Sequence, residues 1–113
     1  TDRFAFEGFL PAKSAGRRAR LASLAGEPRT LVFFEAANRL LEWLGDAADV
    51  LGGERQAVVA RELTKLHETL YRDTLAGLTT RLADDADAAR GEVVVVLEGR
   101  AAAVETGGDE ALL

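Results

Sequence analysis

The chain contains no cysteine and no methionine among its 113 residues, and no apolar run approaches the ~18 residues that mark a membrane-spanning helix. The first absence removes disulfides and cysteine metal sites. The second means that no initiator residue is present. The shortness of the apolar runs argues against a bilayer segment, and Thr1, Asp2 and Arg3 lack the apolar core of a signal peptide. A cytoplasmic protein without a membrane partner is the expectation. Self-sufficient catalytic signatures are missing too. There is no paired-histidine metal spacing, no GxSxG elbow, no GxGxxG fingerprint and no Walker loop, and His67 is the only histidine. No metal is expected, and neither is a self-contained catalyst.

What is present suits one soluble domain. An apolar fraction of 48% supports a single core, and 29% charged residues keep it in solution. The net charge of -5 is unevenly spread. Between Pro11 and Arg29, Lys13, Arg17, Arg18, Arg20 and Arg29 oppose Glu27 alone, a balance of +4, whereas Asp84 to Leu113 carries eight acids against Arg90 and Arg100, a balance of -6. A basic segment on an acidic protein suits an anionic partner. The same segment can equally be the solvated face of a helix.

Periodicity gives the order strand, helix, strand, helix, strand, strand, helix, strand. Phe4 to Phe9 alternates and is closed by Pro11. A helix with Ser14 as N-cap places Leu21, Leu24 and Ala25 inward and its arginines outward. Thr30 to Phe34 (TLVFF) reads as a central strand covered on both faces. A helix from about Ala37 to Leu51 follows, with Leu40, Leu41, Leu44, Ala48 and Leu51 on one side. Arg55 to Glu62 and His67 to Arg72 read as strands, Thr74 caps a helix reaching about Asp84, and Val93 to Leu97 forms the core of the clearest buried strand. The fold expected is α/β, a mixed and mostly parallel sheet of about five strands flanked by helices. Residues 1–99 form the domain and residues 100–113 a looser linker or the start of a further segment. Both ends read as cut.

In open α/β sheets, ligands gather beyond the carboxyl ends of the strands. Phe9-Leu10-Pro11, Glu35 to Arg39, Glu62 to Lys65 and Glu98-Gly99 qualify by position. Glu35 and Glu62 could serve as bases or bind hydroxyls, or pair with Arg39 and Arg61.

The strings FEGFLPAK (Phe6 to Lys13), RTLVFFEAANRL (Arg29 to Leu40), ARELTKLHE (Ala60 to Glu68) and RGEVVVVLEG (Arg90 to Gly99), taken in order, resemble the second half of the bacterial ribosomal RNA small-subunit methyltransferase I family, within the tetrapyrrole (corrin/porphyrin) methylase superfamily. RELTK is the most specific of them. The resemblance implies a C-terminal domain of a two-domain, homodimeric enzyme that moves a methyl group from S-adenosylmethionine to the ribose 2′-oxygen of a cytidine in small-subunit ribosomal RNA. Much of the cofactor would be held by an N-terminal domain that this sequence does not contain, so the chain alone is expected to be inactive. Carried over by motif position, Phe34, Glu35, Ala36, Glu62, Leu63 and Thr64 would enclose the cofactor, partly through backbone atoms. Lys13, Arg17, Arg18 and Arg39 would lie toward RNA, and Glu62 and Lys65 are candidates for catalysis. Family members commonly read F-Y-E-S-P-H-R where this chain has Phe33 to Arg39 (FFEAANR), so a tyrosine, a serine and a histidine are replaced. A tetrapyrrole or corrin precursor as acceptor, or a noncatalytic RNA-binding or dimerisation module, are the alternatives.

Overall fold

The computed structural model describes residues 3–64, 67–84 and 91–100. Five strands form one mixed sheet in the order β1-β2-β5-β3-β4, with β1 at Phe4–Phe9, β2 at Thr30–Ala36, β3 at Gln56–Thr64, β4 at His67–Thr74 and β5 at Glu92–Leu97. Helices α1 (Ser14–Ser23), α2 (Leu40–Leu51, preceded by a 3₁₀ turn at Ala37–Arg39) and α3 (Leu75–Ala83) complete the domain. The α/β class, the strand number and the element order agree with the sequence reading.

The direction of the strands does not. Only β1 and β2 pair in parallel, whereas β2–β5, β5–β3 and β3–β4 are antiparallel. A continuous apolar run shows that a strand is interior but carries no information on its direction. The short β3–β4 connection requires a hairpin, and β5 inserts between β2 and β3 against both.

One face of the sheet makes the core. Leu31, Phe33 and Glu35 of β2, Val93, Val95 and Leu97 of β5, and Ala57, Val59 and Arg61 of β3 are buried and share registers. The helices form a single layer with α2 between α1 and α3. The expectation that TLVFF is covered on both faces is therefore corrected, because Phe34 is 38% exposed on the side away from the helices. Trp43, absent from the expected stripe, is fully buried with its ring centroid 5.0 Å from that of Phe33. Leu41, which was expected beside Leu40 and Leu44, lies outside at 41% exposure. A step of one residue turns a helical side chain by about 100°, so Leu40 and Leu41 cannot share a buried face with Leu44 in a helix that also buries Trp43.

Two caps illustrate local control. Thr74 Oγ1 accepts from Gly77 N at 3.0 Å, as expected of an N-cap. Ser14 is not a cap. The N-cap is Lys13, without a side-chain bond, and the Ser14 hydroxyl instead donates to Asp46 at 2.9 Å.

Candidate functional site

Because β2 and β3 both run antiparallel to β5, and β1 runs with β2, the carboxyl ends of β1, β2 and β3 lie on one rim. Leu10-Pro11, Ala36 to Arg39 and the end of β3 at Thr64 meet there, beside the start of β5. The Ala37 N–H donates to the Gly91 carbonyl at 2.8 Å and ties the two loops together. Helix α1 and the 3₁₀ turn before α2 both start on this rim, so their N-terminal partial positive charge falls on it. Glu98-Gly99, the fourth expected segment, lies on the opposite rim, since β5 runs the other way. There Glu98 N donates to Gln56 O at 3.0 Å and Arg100 N to Glu27 O at 2.8 Å.

The alternation of β2 decides what its end can offer. Phe34 faces away from the helices, and its ring lies 5.2 Å from that of Phe6 and 5.7 Å from that of Phe9. Glu35 points into the core side, only 1% exposed. Its Oε1 accepts from its neighbour Ala36 N at 2.6 Å and from Arg39 Nε at 3.2 Å. The carboxylate is thus turned inward and engaged, and only the Glu35 backbone is left for a ligand on the rim. Arg61 occupies the equivalent buried position on β3, both residues being register partners of Val93. Asn38 is exposed at the tip of the loop, half-buried Arg39 follows it, and exposed Lys13 stands at the start of α1. The side chains of Glu62, Leu63 and Thr64, and Lys65 as a whole, lie outside the described residues, as does the His67 side chain.

The basic helix is organised differently from the expectation. Arg17, placed toward RNA by the resemblance, is 0% exposed. Its Nη1 donates to Asp46 Oδ2 at 2.8 Å and its Nη2 to the Ala12 carbonyl at 2.6 Å, with Glu42 at 3.4 Å. Arg18, 41% exposed, reaches Asp46 at 3.0 Å and Asp49 at 3.1 Å. Burial alone would raise the Asp46 carboxyl, but hydrogen bonds from Ser14, Arg18 and Arg17 outweigh it and hold the group below its ordinary value. Arg17 is therefore a bolt between α1 and α2 rather than a phosphate ligand, because a long arginine can reach a carboxylate on the neighbouring helix. Arg18 is shared with two acids, and Lys13 is the member of the basic segment left on the rim.

No family model matches the chain. Curated relatives do. The chain is 58% identical over 99 residues to the ribosomal RNA small subunit methyltransferase I of Pseudomonas aeruginosa, covering 88% of this chain and 35% of that protein. The protein of the same name from Escherichia coli O157:H7 is 47% identical over 105 residues, which cover 93% of this chain and 37% of that one. Over most of its length the chain matches a segment of proteins of the ribosomal RNA small-subunit methyltransferase I family. It spans little more than a third of the length of these relatives. The fold agrees with solved tetrapyrrole methylases. The methyltransferase CobJ superposes with a TM-score of 0.58 at 16% identity, over 88% of this chain and 42% of that one. Cobalt precorrin-4 methyltransferase gives a TM-score of 0.52 at 19% identity, over 69% of this chain and 32% of that one. In this family segment, the features that sequence reasoning missed are Asp46, the partner that buries Arg17, and the cluster of Phe6, Phe9 and Phe34. The cluster was legible in part, since Phe4 and Phe6 alternate on β1. The return of Phe9 to the same face depends on a bulge that alternation does not reveal.

Proposed function

We propose that this chain is the C-terminal domain of a cytoplasmic, homodimeric methyltransferase that uses S-adenosylmethionine to methylate the ribose 2′-oxygen of a cytidine in small-subunit ribosomal RNA. The observation that carries the reading is the 58% identity over 99 residues with a protein of that family name. The aligned length suffices for the whole sheet and all the helices. The rim suits one wall of a cofactor site. Phe34 and Phe9 are partly exposed aromatic rings against which an adenine could stack. Asn38 supplies a polar side chain, and two helix starts favour a carboxylate. Phe34, Glu35 and Ala36, with Glu62, Leu63 and Thr64, would hold the cofactor largely through backbone, and the opposite wall would come from an N-terminal domain.

When bound, S-adenosylmethionine supplies an electrophilic methyl group. Transfer to a hydroxyl oxygen is an in-line displacement, so the contribution of this domain is to hold the acceptor in line and exclude water. A base must take the hydroxyl proton, and Glu62 and Lys65 remain its candidates. Lys13 and Arg39 would meet RNA phosphate, giving affinity and salt dependence without reading sequence. The deciding assay offers small ribosomal subunits and a porphyrinogen separately to the enzyme that carries this domain. Methylation of ribosomal RNA is expected; methylation of the porphyrinogen alone overturns the assignment. Calorimetry of the 113-residue chain is expected to show no strong binding of S-adenosylmethionine, and a micromolar constant would refute a site split between domains.

A further inference from the structure

A carboxylate taken out of water costs free energy, and a partner that stays in water repays it poorly. Glu35 stands in that position. Its side chain is 2% exposed while that of Arg39, its ionic partner, is 43% exposed, and the acids of the other described ion pairs are 10% to 67% exposed. The stability of the fold alone does not account for so buried an acid.

The hydrogen bonds supply a reason. Glu35 Oε1 accepts from Ala36 N at 2.6 Å, which fixes the oxygen on its own backbone, and from Arg39 Nε at 3.2 Å. The arginine is thus gripped at Nε. Its stem is fixed as well, because Arg39 closes the 3₁₀ turn, Ala37 N is tied to the Gly91 carbonyl at 2.8 Å, and Leu40, the first residue of α2, is 1% exposed. Both ends of the side chain are held. A guanidinium carries five N–H donors, four of them on the two Nη atoms, and among the described residues no acceptor meets the Nη atoms of Arg39. Arg17 and Arg18 differ, since their Nη atoms are taken up by Asp46, Asp49 and the Ala12 carbonyl.

We propose that Glu35 is a positioning residue, which holds the Arg39 guanidinium by its Nε so that the Nη atoms form a fork for a phosphate of the RNA substrate. The proposal rests on the RNA reading above. An arginine fork matches the paired oxygens of a phosphate, and a fork held before the ligand arrives loses less freedom on binding. Charge alone makes the opposite forecast. A carboxylate 3.2 Å from the cation opposes the approach of a second anion, so its removal would strengthen RNA binding if the cation needed no orientation. The sign of the effect decides.

Small ribosomal subunits and the enzyme that carries this domain supply the test, read as kcat/KM and as the salt dependence of RNA binding. Arg39→Ala should lower kcat/KM roughly tenfold or more, the size of a charge-assisted hydrogen bond, and reduce the salt slope by about 1. Glu35→Ala should do the same although the cation is still present. Glu35→Gln keeps an oxygen for both Ala36 N and Arg39 Nε and should restore most of the loss. In the Arg39→Ala background, Glu35→Ala should add little, since the two residues act as one unit. Arg39→Lys alters no buried group and is independent of how Glu35→Ala folds. It keeps the charge without the fork and should lose kcat/KM with the salt slope retained; full activity overturns the proposal. Glu35→Ala with tighter RNA binding than the parent, or losses that multiply in the double variant, overturns the positioning role while leaving the RNA reading in place. So does an equal loss of affinity for S-adenosylmethionine in Glu35→Ala, which marks a collapsed loop. Failure of the parent enzyme to methylate the subunits overturns the RNA reading and the proposal with it.

Discussion

Replacing Asp46 with alanine should cost more stability than any substitution on the surface of α1. Arg17 is fully buried, and its guanidinium meets Asp46 at 2.8 Å, Glu42 at 3.4 Å and one carbonyl at 2.6 Å. Removing the carboxylate leaves a buried charge whose one remaining ionic partner among the described residues is the mostly exposed Glu42, a loss of about 3–5 kcal/mol. Folding free energies are only ~5–15 kcal/mol in total. With a urea dependence at the lower end of ~1–3 kcal/mol per M, the denaturation midpoint should fall by roughly 2 M or more. Arg18→Ala, acting on a pair that is 41% exposed on its arginine side, should cost far less, because solvent screens such a pair. The double substitution Arg17→Met/Asp46→Leu removes both charges and should recover most of the loss, to within about 2 kcal/mol of the parent. Because the Asp46 carboxyl is held below its ordinary value, its contribution is present above about pH 4. It is lost as pH falls through the lowered native value, and Asp46→Ala should therefore flatten the acid limb of the stability profile. Urea titrations followed by circular dichroism at neutral and acid pH measure all of this. An Asp46→Ala loss under 1 kcal/mol, or a double variant as unstable as the single one, would refute the bolt.

Three further outcomes are expected. Thr74→Ala removes the acceptor for Gly77 N and should lower stability by about 1 kcal/mol in the same titration. Gly99→Ala places a methyl group against the Pro28 carbonyl, backbone that cannot step aside, so a loss of about 2 kcal/mol or more is expected in thermal melts. In the enzyme that carries this domain, Lys13→Glu should weaken RNA binding and reduce its salt slope by about 1 without changing the affinity for S-adenosylmethionine.

The element order was legible because each element carries its own period: TLVFF and VVVVL for interior strands, and Leu75, Leu78 and Leu82 for α3, all three of which are buried. Strand direction was not, because parity and hydrophobicity are identical for parallel and antiparallel neighbours. The difference displaced Glu98-Gly99 from the expected rim while leaving the other three segments together. Arg17 was misread for a related reason. Composition marks it as a cation, but its burial depends on Asp46, 29 positions away, a pairing that no local pattern contains.

The departure at Phe33 to Arg39 takes on a structural meaning once the alternation of β2 is known. The positions at which this chain keeps the family's acidic and basic residues, Glu35 and Arg39, form an ion pair at 3.2 Å whose carboxylate is turned to the core side. That pair holds the loop shape and is consistent with an unchanged fold. The altered positions divide by environment. Phe34, Ala36 and Asn38 are exposed or half-buried on the rim and the open face, where a change of residue alters what a ligand meets rather than what the core contains. Ala37 is buried, and its N–H donates to Gly91, a bond that the proline common in relatives cannot make. The bond ties the β2 loop to the start of β5. The departures at Phe34, Ala36 and Asn38 thus lie on the rim and the open face, and the one at Ala37 lies in the core.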